Sequence, residues 1–341
     1  MRIAGLPSKI GVGVELFTKE ELYLLHTASL EVLEKTGVVF QNEEALGILR
    51  QGGCIVDSEK NLARFPKHLV EECLSLTPRS FTVQARDPEN SVHFGDPNLY
   101  FSNWPGTQTF DPQTKRQRYP TSQDYIEAVR VLDALDGIHM TLVPYGYISD
   151  LAPPMWSPTT LVWETRYSSK IHFVVTGMEA EKWIYRIAEA TGQQVLTAAN
   201  VSAPLTWPDK TGARAIVESA RTGNPIMLGS GLVSGGTAPA TLAGSLVQSI
   251  AQILSGLVLA QLVRPGIGIL AGNYWQPMDM RYGLGAQGAI ERATFGAAFN
   301  QIFRRYGIPR GTPCSTDAKL PDYQCAYEKS MQLVMQALSG P

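Results

Sequence analysis

Aromatic and acidic side chains follow several of the predicted strands, and they are the residues best suited to chemistry in this sequence. The aromatic candidates are Trp104, Tyr145, Tyr147, Trp207, Tyr274 and Trp275, and the acidic ones are Asp279, Asp317 and Asp322. Packing is the simpler explanation for any one of these aromatic residues. As a set at one end of a sheet, they are candidates for a binding site.

Four glycines, Gly229, Gly231, Gly235 and Gly236, lie in and just after a strand predicted over residues 225–233. Their pattern is neither GxGxxG nor GxxxxGK[ST], so it does not predict a phosphate-binding loop. They permit either a tight turn alone or the close approach of a large cofactor.

A long uncharged helix is predicted from about residue 240 to 263, with Thr237 as its N-cap and Pro239 in its first turn. Because it has no charged side chain, the helix is either buried or membrane-spanning. Serine and glutamine interrupt its apolar run, whereas a membrane span needs roughly 18 or more consecutive apolar residues. We therefore expect a buried helix, inside the protein or at a subunit interface.

The composition excludes several classes of function. The chain has 341 residues, 18% of them charged, and a formal net charge of −2, so no basic surface predicts nucleic-acid binding. Its four cysteines form no close pair, and the N-terminus lacks the apolar core of a signal peptide, which favours a reduced cytoplasm. The sequence has no CxxC or HExxH motif and five scattered histidines, so we expect no metal site.

The order of predicted elements indicates an α/β protein. Residues 1–97 read as an N-terminal extension of helices and a hairpin, opened by the Thr18/Glu21 capping box. From residue 98 to 341, strand and helix alternate in seven units. Seven strands fit either a doubly wound sheet or a (β/α)₈ barrel without its eighth strand. We favour the incomplete TIM barrel, because each strand ends in small and polar residues.

Three stretches carry a family resemblance, and together they span nearly the whole chain. They are LFTKEELYLLHTASLEVLEKTGVVF near the N-terminus, SGGTAPATLAGSLVQSIAQILSGLVLAQLVRPG in the middle, and MDMRYG followed by YGIP and TDAKLPDYQCAYEKSMQLVMQAL. The sequence resembles the trimethylamine methyltransferase family, whose members deliver a methyl group to a corrinoid protein.

The resemblance implies a cytoplasmic, homo-oligomeric TIM-barrel enzyme that transfers a methyl group from trimethylamine to the Co(I) corrinoid of a partner protein. It implies no tightly bound cofactor and no membrane or nucleic-acid partner. Family members continue past this point, and the trimethylamine enzymes contain a pyrrolysine encoded by UAG. We therefore expect such a codon after Pro341, with a fragment or an ordinary truncation as the alternative.

Methylated amines are cations, and proteins hold such ions with aromatic faces and a nearby carboxylate, so the resemblance makes residues at the predicted strand ends the expected site. The substrate-binding residues are Trp104, Tyr145, Tyr147, Tyr274, Trp275, Asp279, Arg310 and Asp317, and the corrinoid approaches Gly229, Gly231, Gly235 and Gly236. Arg310 is assigned to a substrate carboxylate, for the case of a quaternary amine such as glycine betaine, although a surface arginine is the simpler explanation. A catalytic Ser-His-Asp triad is not expected, since the nucleophile belongs to the partner's cofactor.

Three alternatives remain at this stage. The first is a pyrrolysine-free methyltransferase that acts on glycine betaine or another quaternary amine. The second is a barrel lyase or hydrolase for a phosphorylated substrate, which would need a basic residue at a late strand end, where Lys319 is the candidate. The third is a binding or scaffold homologue without activity.

Overall fold

The computed structural model describes residues 13–340 except 97, 112, 176–179 and 202, together with the backbone but not the side chain of Glu181. The strands are β1 (Val38–Phe40), β2 (Ile55–Asp57), β3 (Leu62–Arg64), β4 (Phe81–Val83), β5 (Val92–Phe94), β6 (Thr109–Asp111), β7 (Arg116–Arg118), β8 (Met140–Leu142), β9 (Ile171–Val175), β10 (Val195–Asn200), β11 (Thr206–Trp207), β12 (Ile226–Ser230), β13 (Val233–Ser234), β14 (Ile269–Asn273), β15 (Gln276–Asp279), β16 (Leu284–Gly285) and β17 (Arg310–Gly311). The α-helices are α1 (Lys19–Glu31), α2 (Glu43–Gln51), α3 (Lys67–Leu76), α4 (Ser122–Ala134), α5 (Trp156–Tyr167), α6 (Glu181–Ala190), α7 (Arg214–Thr222), α8 (Leu242–Val263), α9 (Ile290–Tyr306) and α10 (Tyr323–Ser339).

A curled parallel sheet forms the centre of the molecule. Its strands lie in the spatial order β17-β14-β12-β10-β9-β8, and every pair is parallel. A bridge between Ser102 and Met140 adds the predicted first strand, over residues 99–103, beside β8. Helices connect successive strands, as parallel pairing requires. The chain is therefore an α/β protein with a partial TIM-barrel sheet, and the order of its strands follows the predicted order.

Alternate residues of the central strands face the two sides of the sheet. Met140, Phe173, Met227 and Leu270 pack into one apolar cluster on the concave side, which the β4–β5 hairpin closes below. Their neighbours along the strands, such as Leu228, pack outward against the helices. The concave side is therefore the interior of the barrel-type sheet. Every second residue of a central strand faces it.

Helix α8 is buried, as the sequence predicted. It is apolar and long enough to cross a membrane, yet 78% of its most apolar window lies inside the structure. Helices α1, α3 and α7 pack against it, and the indole of Trp207 donates to Ser255 Oγ at 2.8 Å. The N-terminal segment also joins the body of the molecule through the parallel pair β1–β11.

Two sequence predictions about element boundaries are wrong. The strand predicted over residues 200–206 is found about one strand length earlier in the sequence, as β10 (Val195–Asn200). Its small residues give a weak strand pattern, which explains the wrong position. The predicted N-cap of α8 at Thr237 is also wrong. Its hydroxyl accepts a hydrogen bond from Val233 N, whereas Thr241 accepts from Gly244 N and begins the helix.

The helix cap and the hairpins predicted for the N-terminal part of the chain are confirmed. Thr18 and Glu21 form the predicted capping box at the start of α1. Gly37, with φ of 81°, ends the π-helical segment Val32–Thr36 that follows α1, in a conformation that favours glycine. The predicted hairpins over residues 54–65 and 81–92 are present as β2–β3 and β4–β5.

Candidate active site

A cavity of about 520 Å³ lies inside the curled sheet, on the side between the first strand, β17 and α10. Its apolar and aromatic lining includes Phe94, Tyr100, Phe101, Trp104, Met140, Leu142, Phe173, Met227, Leu270 and Tyr274. Its charged lining residues, within the described ranges, are Asp96, Arg310 and Lys329. Such a largely apolar enclosure with few polar groups is the usual form of a small-molecule site.

Trp104 and Tyr274 form an aromatic pair at the carboxyl ends of their strands. Trp104 follows the first strand and Tyr274 follows β14, and their ring centroids lie 5.2 Å apart. The Trp104 side chain is 57% exposed, whereas the Tyr274 hydroxyl reaches inward to Met227 Sδ at 3.3 Å. Burial raises the pKa of Tyr274, so its hydroxyl stays neutral. The pair therefore offers neutral aromatic faces between the cavity and solvent.

Gly229 makes room for this arrangement. A Cβ at this position would lie 2.0 Å from Asn200 Oδ1 and 2.7 Å from Tyr274 Cε2. Asn200 ends β10, and its Oδ1 is buried without a hydrogen-bond partner among the described residues. The absence of a side chain at residue 229 thus lets an amide and an aromatic ring meet at the carboxyl end of the sheet.

The cavity wall at β17 is polar and positively charged. Arg310 Nη1 donates to Ile308 O at 3.3 Å, and Nη2 donates to Gly340 O. Within the described part of the chain, Arg310 Nε, Thr312 Oγ1 and Asn300 Oδ1 are buried and have no hydrogen-bond partner. Burial, followed by the charge of Arg304, lowers the pKa of Arg310 to about 9. A buried cation with a free donor is suited to an anionic group.

The acidic residue of the cavity, Asp96, was missed by sequence reasoning. Its carboxylate accepts hydrogen bonds from Asn98 N at 2.9 Å, Asn98 Nδ2 at 2.7 Å and the Tyr100 hydroxyl at 2.8 Å. It precedes the first strand, whereas the predicted site residues follow strands. Partial burial, followed by the hydrogen bond to Asp96, raises the pKa of Tyr100.

Several predicted aromatic residues lie away from the cavity. Trp275 is 1% exposed, stacks on Phe295 at 4.3 Å and donates to Ser234 Oγ at 2.8 Å. Tyr147 contacts Tyr119 and Trp156 outside the sheet, with ring centroids 4.7 and 5.1 Å away.

Tyr145 takes part in the hairpin region beside the first strand, since its hydroxyl donates to Thr109 Oγ1 at 3.4 Å. Trp207 is fully buried under α8. Of the predicted aromatic set, Trp104 and Tyr274 line the cavity.

The three predicted acidic side chains accept hydrogen bonds from backbone amides. Asp317 accepts from Gln287 N at 3.0 Å and Gly288 N at 2.8 Å, just before α9. Asp279 accepts from Arg281 N at 2.9 Å in the turn after β15. Asp322 is the N-cap of α10 and accepts from Cys325 N at 3.1 Å. None of these three belongs to the described cavity lining.

The glycines after Gly229 lie in the loop between β12 and α8. Gly235 has φ of 85°, a conformation that L side chains rarely adopt, and a Cβ on Gly236 would lie 2.3 Å from the flexible end of Met278. A Cβ on Gly231 would meet Tyr274 Cβ at an ordinary 3.8 Å. Close packing therefore requires glycine at position 229, and the turn requires glycine at position 235.

Comparison with known families adds to this geometry. The family model described as trimethylamine methyltransferase (MTTB) matches residues 7–341. The chain belongs to the trimethylamine methyltransferase family. The family and the methyltransferase class predicted from the sequence motifs are thereby confirmed.

Two curated relatives and one solved structure are similar to this chain over most of its length. The trimethylamine methyltransferase of Desulfitobacterium hafniense is 30% identical, covering 99% of this chain and 70% of that protein. The glycine betaine methyltransferase of the same species is 28% identical, covering 95% of this chain and 70% of that protein. The monomethylamine methyltransferase structure from Methanosarcina barkeri is similar with a TM-score of 0.41 at 11% identity, covering 94% of this chain and 79% of that one.

Proposed function

We propose that this protein transfers a methyl group from a methylated amine, trimethylamine in the first instance, to the Co(I) corrinoid of a partner protein. The observation that carries the proposal is the aromatic pair Trp104–Tyr274 at one end of a largely apolar cavity. A methylated ammonium ion is apolar at its surface and positively charged overall, so apolar walls and aromatic faces bind it without hydrogen bonds. Family membership supports the reaction, because the relatives bear names for methyl transfer from such amines.

The proposed reaction breaks one carbon–nitrogen bond and forms one carbon–cobalt bond. The electron pair of the broken bond stays on nitrogen, and an electron pair from Co(I) of the co-substrate binds the methyl carbon. Trimethylammonium then leaves as dimethylamine, and a quaternary amine leaves as its tertiary amine, so charge balances in both cases. In the proposed reaction the nucleophile is Co(I) of the co-substrate and not a side chain of the cavity. The proposed role of the cavity residues is to bind the amine, orient one methyl group and exclude water.

A second candidate substrate is a quaternary amine that carries a carboxylate, such as glycine betaine. Arg310 favours it, since its Nε is buried without a partner in the described chain and Thr312 Oγ1 beside it is also free. An ammonium group against Trp104 and a carboxylate at Arg310 would use both ends of the cavity. Such a substrate has a fixed positive charge, so the amine leaves without protonation.

The test is a corrinoid methylation assay with the purified protein. A corrinoid protein held as Co(I) is mixed with trimethylamine, glycine betaine or no amine, and the loss of the Co(I) absorption band is followed. The proposal expects amine-dependent loss with at least one of the two substrates. Equal rates with and without amine, across a range of methylated amines, would refute it.

Further predictions rest on family membership and stay proposals. They are an eight-stranded (β/α)₈ barrel, a division between residues 1–97 and 98–341, a homo-oligomeric state and a cytoplasmic location. The remaining predicted residues, including Tyr145, Asp279 and Asp317, are proposed to act at the carboxyl end of the sheet. The loop that contains Gly231, Gly235 and Gly236 follows β12 at that end, where the corrinoid is proposed to approach.

A further inference from the structure

An exposed surface beside the cavity is formed mainly by the connection that follows the first strand. It runs from Trp104 through the β6–β7 hairpin to the aromatic rings around Tyr147, and we call it the aromatic rim. Its rim residues are Trp104, Phe110, Lys115, Arg116, Tyr119, Tyr147 and Trp156. Phe110 and Tyr119 are 59% and 53% exposed, which is high for aromatic side chains that have no catalytic task.

The contacts show that this surface is continuous with the cavity. Trp104 lines the cavity, and Gly106, two residues later, pairs with Tyr145 in the connection after β8. The Tyr145 hydroxyl then reaches Thr109 at the start of β6. All of these residues follow the carboxyl ends of parallel strands, which is the end at which barrel enzymes bind their substrates.

Some charged side chains of the β6–β7 hairpin have partners within the described residues, and others do not. Arg118 makes a two-pronged contact with Asp124, with nitrogen–oxygen distances of 2.6 and 2.7 Å. Asp111 is engaged by the turn, since it accepts from Gln113 N at 2.8 Å and Thr114 N at 3.2 Å. Lys115 and Arg116 are exposed and make no ion pair with the described residues. The hairpin therefore presents two free cations beside exposed aromatic rings.

We propose that the aromatic rim is the docking surface for an acidic face of the corrinoid protein. This inference rests on the proposed function, in which cobalt must come within bonding distance of a methyl group held in the cavity. A macromolecule that carries the cobalt must then cover the surface next to the cavity. Aromatic rings at the centre of an interface supply binding energy, and peripheral cations steer an acidic partner and accelerate association.

The experiment compares two charge-reversal variants that change net charge equally. The rim variant is Lys115→Glu/Arg116→Glu, and the control is Lys19→Glu/Lys60→Glu, at exposed positions of the N-terminal segment. Methyl transfer is measured while the corrinoid protein concentration is varied at saturating amine. The rim variant should raise KM for the corrinoid protein about tenfold with little change in kcat, whereas the control should match the wild type. High salt should raise KM of the wild type and remove most of the difference between the two.

A second variant, Phe110→Ser, tests the apolar part of the rim without changing charge, and should also raise KM for the corrinoid protein. Wild-type KM in both rim variants would overturn the docking inference. A change in oligomeric size of the rim variant, measured by light scattering, would also overturn it, because the rim would then be a contact between copies of this chain. Failure of the wild-type protein to transfer a methyl group at any partner concentration would instead refute the proposed function, and the inference with it.

Discussion

Replacing Gly229 with alanine should damage the proposed active site from a position outside the cavity. The new Cβ would lie 2.0 Å from Asn200 Oδ1 and 2.7 Å from Tyr274 Cε2, whereas ordinary contact begins at 3.4 Å. To restore ordinary contact, the two side chains must retreat by about 1.4 and 0.7 Å. Displacement of Tyr274 separates it from Trp104, its partner in the aromatic pair.

The magnitude follows from the size of that displacement. Misplacing a binding group by about 1 Å can lower a rate by ~100-fold, so we expect kcat/KM for the amine to fall by about 10- to 100-fold. Overpacking should also lower the free energy of unfolding by about 1–3 kcal/mol. The assay is steady-state methylation of the corrinoid protein, run well below the melting temperature of the variant so that the two effects separate.

Gly47→Ala, in α2 and away from the cavity, is the control, since a Cβ there would meet nothing within 4 Å. We expect its kcat/KM to stay within about twofold of the wild-type value. The double variant Asn200→Ala/Gly229→Ala should recover part of the lost activity, because it removes the closer of the two clashes. Full activity of Gly229→Ala in a folded protein would refute the role assigned to the aromatic pair.

Three other predictions concern the cavity and the buried pair Glu164–His172. Trp104→Ala should raise KM for the amine about two- to fivefold, since a cation–aromatic contact at an exposed ring contributes roughly 0.5–1 kcal/mol. An equal rise in Trp183→Ala would show that the effect is unspecific. Arg310→Gln should lower kcat/KM about 10- to 100-fold with glycine betaine but little with trimethylamine, and equal losses would contradict the carboxylate role. Burial raises the pKa of Glu164 to about 8 from its ordinary 4.5 and lowers that of His172 to about 3. The folded state thus holds an extra proton on Glu164 between pH 4.5 and 8, and stability due to that proton is lost as pH rises through this window. The His172 effect opposes it below pH 6.5, so net stability should fall by about 2 kcal/mol between pH 6.5 and 8, and urea unfolding of Glu164→Gln should show no such fall.

Local signals in the sequence predicted most of the fold. The capping residues Thr18 and Thr121 identify helix starts without tertiary information, because each accepts a hydrogen bond from the amide three residues later. The alternation of strands and helices gave the parallel strand order. Strand β10 was misplaced because Ala198 and Ala199 are buried by the sheet around them and not by a strong strand preference of their own.

The candidate site was harder to predict, because neighbouring residues on a strand end point to opposite sides. Tyr274 faces the interior, whereas Trp275 packs outward on Phe295, and composition alone does not separate them. The contact between Trp104 and Tyr274 joins residues that are distant in sequence and depends on the curvature of the sheet. Asp96 was missed because it precedes a strand.

The most direct test of the account follows the methyl group itself. The protein is mixed with fully deuterated trimethylamine and a stoichiometric amount of Co(I) corrinoid protein, and the corrinoid is analysed by mass spectrometry after a single turnover. We predict one CD₃ group on each methylated corrinoid, formed more slowly by Trp104→Ala at low amine concentration. If no CD₃ group reaches the corrinoid from this amine or from deuterated glycine betaine, methyl transfer from the cavity is contradicted.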